Sequence, residues 1–128
     1  MRHLLNAIKT YWIACTVFIL AGITVLSLWP QESLPSVPGT DKSHHLIAYA
    51  ALIFPVALRK PAYWKLISLF FIACGGMIEL AQPYVNRSAE WLDLAANTTG
   101  ILCGLLVAEL LSRQGFLTKA SRTEAEGK

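Results

Sequence analysis

From Leu66 to Ala81 the chain is apolar enough to sit in lipid, yet it carries Glu79 near its end, with Gly75 and Gly76 one turn before and Gln82 just after. A carboxylate in such a run is costly, about 2.5 to 3.5 kcal/mol on insertion scales at the centre of a span and less toward the interface. It must therefore fold against partners or serve a site. Composition points the same way. A chain of 128 residues that is 55% hydrophobic and only 15% charged, with mean hydropathy +0.49, makes one domain too apolar for an ordinary soluble protein. The formal charge of +3 sits in short basic blocks beside apolar runs, so no nucleic-acid partner is expected. Cys15, Cys74 and Cys103 each fall inside an apolar run without CxxC spacing and read as small hydrophobes.

Four apolar runs can be placed in order. Tyr11 to Trp29 has no charge, and at about 1.5 Å per residue it approaches the roughly 30 Å hydrocarbon core. Pro30, Pro35, Pro38 and Gly39 mark a loop, after which Thr40 or Asp41 is a suitable N-cap for a second helix. The apolar part of that helix, Leu46 to Leu58, is only 13 residues and contains Pro55, which leaves a span or a re-entrant segment open. Leu66 to Ala81 and Leu92 to Leu111 are the third and fourth runs, joined by a turn over Pro83 to Ser88, where Ser88 is the expected N-cap.

Charge placement decides between the two readings of the second run. With four spans, nine of the eleven bases (Arg2, Lys9, Arg59, Lys60, Lys65, Arg113, Lys119, Arg122 and Lys128) share one side, which the positive-inside rule makes cytoplasmic. The expected fold is therefore all-α, a polytopic membrane protein with a four-transmembrane-helix bundle over residues 1–111 and a polar cytoplasmic tail over 112–128. Both termini are expected in the cytoplasm. Glu109 and Arg113, at i,i+4, read as a solvated ion pair at the inner end of the last helix.

Under that topology the unusual polar residues all fall on the outer side. Asp41, His45 and Tyr49 form an i+4 stripe with Lys42 beside it, and His44 lies off the stripe. Glu79 and Gln82 are i,i+3. Asp93, Asn97, Gly100 and Gly104 give one polar-then-small face, and glycine faces let helix backbones approach closely in lipid. Tyr49 reads equally well as a packed aromatic, and Asn97 as an interhelical hydrogen-bonding group. Glu79 and Asp93 are harder to explain by packing. A metal site built from His45, Asp41, Glu79 and Asp93 has the right donor types, but Lys42 and Arg87 would oppose a divalent cation and would suit an anion, which a guanidinium holds bidentately. Neither metal nor cofactor is expected on this reading.

The combined pattern Asp41-Lys42-x-x-His45-x-x-x-Tyr49, Glu79-x-x-Gln82, Arg87-Ser88 and Asp93-x-x-x-Asn97-x-x-Gly100-x-x-x-Gly104 resembles the VanZ-like family of small bacterial membrane proteins. The resemblance covers roughly Pro30 to Gly104. Its founding member is associated with low-level resistance to teicoplanin, a lipoglycopeptide acting on the outer face of the cytoplasmic membrane. The resemblance thus implies a cell-envelope protein of the bacterial cytoplasmic membrane.

Two functions of different kinds are compatible with these residues. In the first, the site binds, and in its catalytic version modifies, an anionic amphiphile such as a lipid-linked wall precursor or a lipoglycopeptide. Lys42 and Arg87 hold the anion, with Asp41, Gln82, Asn97 and Tyr49 lining the site. Glu79 or Asp93 serves as general acid or base, and His45, oriented by Asp41, shuttles a proton. In the second, the chain is a non-enzymatic membrane scaffold whose polar residues fix helix packing.

Overall fold

A computed structural model describes the backbone of residues 2–29 and 41–126, and the side chains of residues 3–29 and 42–114. The described chain is all-α. Its helices are α1 (Arg2–Thr10), α2 (Trp12–Ser27), α3 (Asp41–Arg59), α4 (Trp64–Ala81) and α5 (Trp91–Glu126), with a 3-10 turn at Gln82–Val85 between the last two. The expected helix start at Asp41 is observed, and α3 runs unbroken through Pro55. Lys60 adopts a left-handed backbone (φ 52°) ahead of Pro61 and ends α3, and Asn86 (φ 59°) closes the 3-10 turn in the same way.

The expected count of four membrane spans is not met. Among the described residues, two helical stretches are long and apolar enough to cross a membrane, Trp64–Val85 and Trp91–Gln114. A third exists only if His3–Thr10 and Trp12–Ser27, which meet at an angle of 81°, are taken together as one broken span. The first apolar run fails alone because its helix covers only 16 residues, about 24 Å against a core of about 30 Å. The second fails on composition. Asp41, Lys42, His44 and His45 at its start and Arg59 at its end leave only the 13-residue apolar stretch within α3. The four-span count was what collected nine bases on one side, so that argument no longer fixes where both termini lie. The polar segment beyond Leu111 continues α5 as helix to Glu126. Its Ala, Glu, Lys, Arg and Gln are good helix formers and no proline interrupts them.

α3 is the centre of the molecule. Leu52, Ile53 and Val56 are fully buried in it, with Phe71 and Ile78 from α4, Ile101 from α5 and Ile23 from α2 completing the core. Its closest partner is α5, and the two run parallel: Lys42 reaches Glu90 at one end, and Lys60 reaches Glu109 at the other. Around this pair the outer faces are apolar. Val17, Phe18, Val25, Leu66, Leu69, Met77, Leu80, Leu102 and Leu106 are all more than half exposed, an area far beyond what a soluble monomer leaves open. Aromatic residues edge the belt, Trp29, Tyr84 and Trp91 at one end and Tyr11 and Tyr63 at the other, as amphipathic rings do at a lipid boundary.

Glu109 accepts from Lys60 Nζ (3.0 Å) and from Arg113 Nε (2.9 Å) in an exposed network. The sequence showed its i,i+4 half, and α3 supplies the rest. Exposed pairs of this kind contribute little, so Glu109→Gln is expected to leave the thermal unfolding midpoint in detergent unchanged within the scatter of the melts. A clear drop would show that this end holds α3 to α5.

Candidate functional site

The site lies where α3 and α5 begin and α4 ends. Helical periodicity turns His45 and Tyr49 of α3 inward, and they are buried, while His44 off that stripe is only half-buried. Glu79 and Gln82 arrive from the last turn of α4 and the 3-10 turn, and Asp93 and Asn97 from the first turns of α5; all four are buried. Ligating atoms of His45, Glu79 and Asp93 lie within 4.8 Å of one another. A buried histidine and two buried carboxylates from three helices thus converge on one point.

Hydrogen bonds fix the orientation of these groups. His45 Nδ1 is 3.0 Å from Asn97 Oδ1. An amide oxygen only accepts, so Nδ1 is the donor and Nε2 faces Asp93 Oδ2 at 4.0 Å. Glu79 Oε2 accepts the Glu90 backbone N–H (3.2 Å), and Gln82 Nε2 donates to the Ser27 carbonyl at the end of α2 (3.4 Å). Tyr49 Oη and Asn97 Nδ2 both press against Gly75, each 3.0 Å from where a Cβ would stand. Gly75 is therefore small because the polar cluster occupies the space its side chain would take.

No family model, curated protein or solved structure matches this chain. Its chemistry has to be read from the residues themselves.

Eight of the nine expected site residues are in or beside the cluster. The side chain of the ninth, Asp41, lies outside the described residues, and the group seen orienting His45 is Asn97. The two bases have partners within the protein. Lys42 Nζ lies 2.5 Å from Glu90 Oε2 and 3.9 Å from Asp93 Oδ1, and Arg87 Nη1 donates to the Leu26 carbonyl (3.2 Å). Arg87 therefore ties the α4–α5 connection to the end of α2, where the last carbonyls of a helix need donors. Glu90 was not singled out from the sequence. Its signal was its place one turn before Asp93, at the N-cap position of a helix that starts at Trp91, where Ser88 had been expected to serve. Chemically the arrangement offers an imidazole of fixed orientation, two carboxylates and an amide in a buried setting, suited to cation coordination or proton exchange.

Proposed function

We propose that this chain is a small VanZ-like protein of the bacterial cytoplasmic membrane. It binds an anionic amphiphile, a lipid-linked wall precursor or a lipoglycopeptide such as teicoplanin, at the polar end of α3, α4 and α5. The observation that carries the reading is the buried His45, Glu79, Asp93 and Asn97 cluster, edged by half-buried Lys42 and Arg87 at one end of an apolar, aromatic-rimmed belt. A ligand with an acyl or prenyl tail would lie along that belt and bring its anionic group to the rim. Orientation is supported by the α4–α5 hairpin alone. Lys60 precedes it, Lys65 lies in its first turn and Arg113, Lys119, Arg122 and Lys128 follow its apolar part, against Arg87 alone in its turn, a distribution that supports an outward-facing cluster.

The test is a titration of the purified full chain in detergent with a polyprenyl phosphate and, separately, with teicoplanin, read by tryptophan fluorescence. Trp29 and Trp91 stand at the cluster end. Saturable binding by either is expected, weakened at least threefold in Lys42→Gln and in Arg87→Gln. No saturable binding, or binding indifferent to both substitutions, would rule the reading out.

A further inference from the structure

We propose that His45, Glu79 and Asp93 hold a divalent transition cation of the Mn2+ or Zn2+ type. We further propose that this cation receives the phosphate or carboxylate of the amphiphile, a role that rests on the function proposed above. The site itself rests on geometry. One imidazole nitrogen and two carboxylate oxygens form a mixed N/O set, whose imidazole suits Zn2+ and whose carboxylates suit Mn2+ and Zn2+. Ligands at about 2.1 Å from a common ion lie within about 4.2 Å of each other. A cluster whose donors lie within 4.8 Å closes to that size by side-chain adjustment of a few tenths of an ångström.

The surroundings of the cluster agree. A metal-bound histidine ordinarily donates its other N–H to a fixed acceptor, which sets the tautomer. Asn97 Oδ1 is such an acceptor at 3.0 Å, and it leaves Nε2 directed at Asp93 Oδ2. Two imidazole and carboxylate atoms 4.0 Å apart are too distant to share a hydrogen bond, but an ion between them would bind both.

A second observation is independent of the three ligands. Tyr49 Oη and Gln82 Oε1, in side chains only 1% exposed, have no hydrogen-bond partner among the described residues. Tyr49 Oη packs beside Asn97 Nδ2 against Gly75 and within electrostatic reach of Glu79. Buried hydroxyls without a partner are rare. One aimed at a His and carboxylate cluster marks room for a further polar ligand, such as an oxygen held by the ion.

Lys42 and Arg87, half-buried at the rim, suit the anion and leave the buried ligand cluster to a cation: Lys42 pairs with Glu90, and Arg87 donates to the Leu26 carbonyl. Glu79, Glu90 and Asp93 bring three carboxyl groups to this end of the helices, a donor set that suits a cation. A divalent ion held at this point would add positive charge and so favour an approaching anionic headgroup.

The experiment is a Mn2+ titration of the untagged full chain, stripped with chelator in detergent and followed by electron paramagnetic resonance. One saturable Mn2+ per chain is expected, displaced by Zn2+, with coupling to a single imidazole nitrogen. His45→Gln should abolish that coupling and weaken binding at least tenfold. Glu79→Gln and Asp93→Asn should weaken it similarly, and His44→Gln should change neither. No saturable binding, no nitrogen coupling in the wild type, or coupling that survives His45→Gln would overturn the site. The wild-type spectrum and His44→Gln decide the matter even if a cluster variant fails to fold. Repeating the polyprenyl phosphate titration with and without Mn2+ separates the two proposals. Mn2+ bound without any ligand binding overturns the ligand and supports the ion, whereas ligand binding unaffected by chelation overturns the role of the ion.

Discussion

Replacing Gly100 with alanine is expected to lower the unfolding free energy by about 1–3 kcal/mol, the usual range for overpacking. Helix propensity alone would have raised it by up to about 1 kcal/mol. The reason is local. A Cβ at Gly100 would be driven into the Leu46 carbonyl oxygen, with the Leu46 carbonyl carbon and the Ala50 nitrogen 3.0 and 3.1 Å away. These are backbone atoms of α3, so nothing short of moving a helix relieves the clash. Gly104→Ala meets the Ala50 carbonyl oxygen at 2.5 Å and Ile53 Cγ2 and should behave alike. Gly22→Ala is the control, with nothing within 4 Å, and should be neutral or stabilising. Thermal unfolding in detergent followed by circular dichroism reads all three. An unchanged midpoint for Gly100→Ala would mean that α3 and α5 do not approach as closely as described.

The second large effect is expected at Asn97. It is 1% exposed and supplies the acceptor for His45 Nδ1. Asn97→Leu keeps the branching at Cγ, with methyl groups bulkier than the amide atoms, and removes the acceptor. A buried N–H is left without its partner, which costs about 1–3 kcal/mol. In a His45→Phe background the same substitution should cost much less, because the stranded donor is already gone. Equal costs in both backgrounds would show that the two side chains do not interact. The cycle also weighs the scaffold reading of the polar residues. Were fixing α3 to α5 their only role, loss of ligand binding across a set of cluster variants would track loss of stability.

Much of the site could be read from spacing. The i+4 relation of His45 and Tyr49, the i+3 relation of Glu79 and Gln82, and the face running from Asp93 and Asn97 to Gly100 and Gly104 all bury toward a common centre. Periodicity fixes which side of a helix a residue occupies, and burial follows from it. What spacing does not carry is the partner. That Lys42 would pair with Glu90, and Arg87 with the Leu26 carbonyl, depends on how separate helices meet. The span count failed for a related reason. Charge asymmetry favoured four crossings, but α3 is apolar over only part of its length because its first turns furnish the cluster, and the break near Tyr11 that turns α1 away from α2 has no proline or glycine to announce it.

The glycine contact has a mechanical consequence. With the Leu46 and Ala50 backbone seated directly on Gly100 and Gly104, α3 and α5 are interlocked. Sliding one past the other by a helical turn of about 5.4 Å would exchange one of the two glycine contacts for Ala96 or Ala108, where a Cβ would meet the α3 backbone. The pair therefore behaves as one rigid rod, carrying His45, Asp93 and Asn97 as a fixed jaw. Glu79 and Gln82, delivered by α4 and tied to the rod through the Glu90 N–H and to α2 through the Ser27 carbonyl, form the other jaw. Any opening of the site would therefore have to break the contacts of α4 with Glu90 and α2, since the α3–α5 contact leaves no slack.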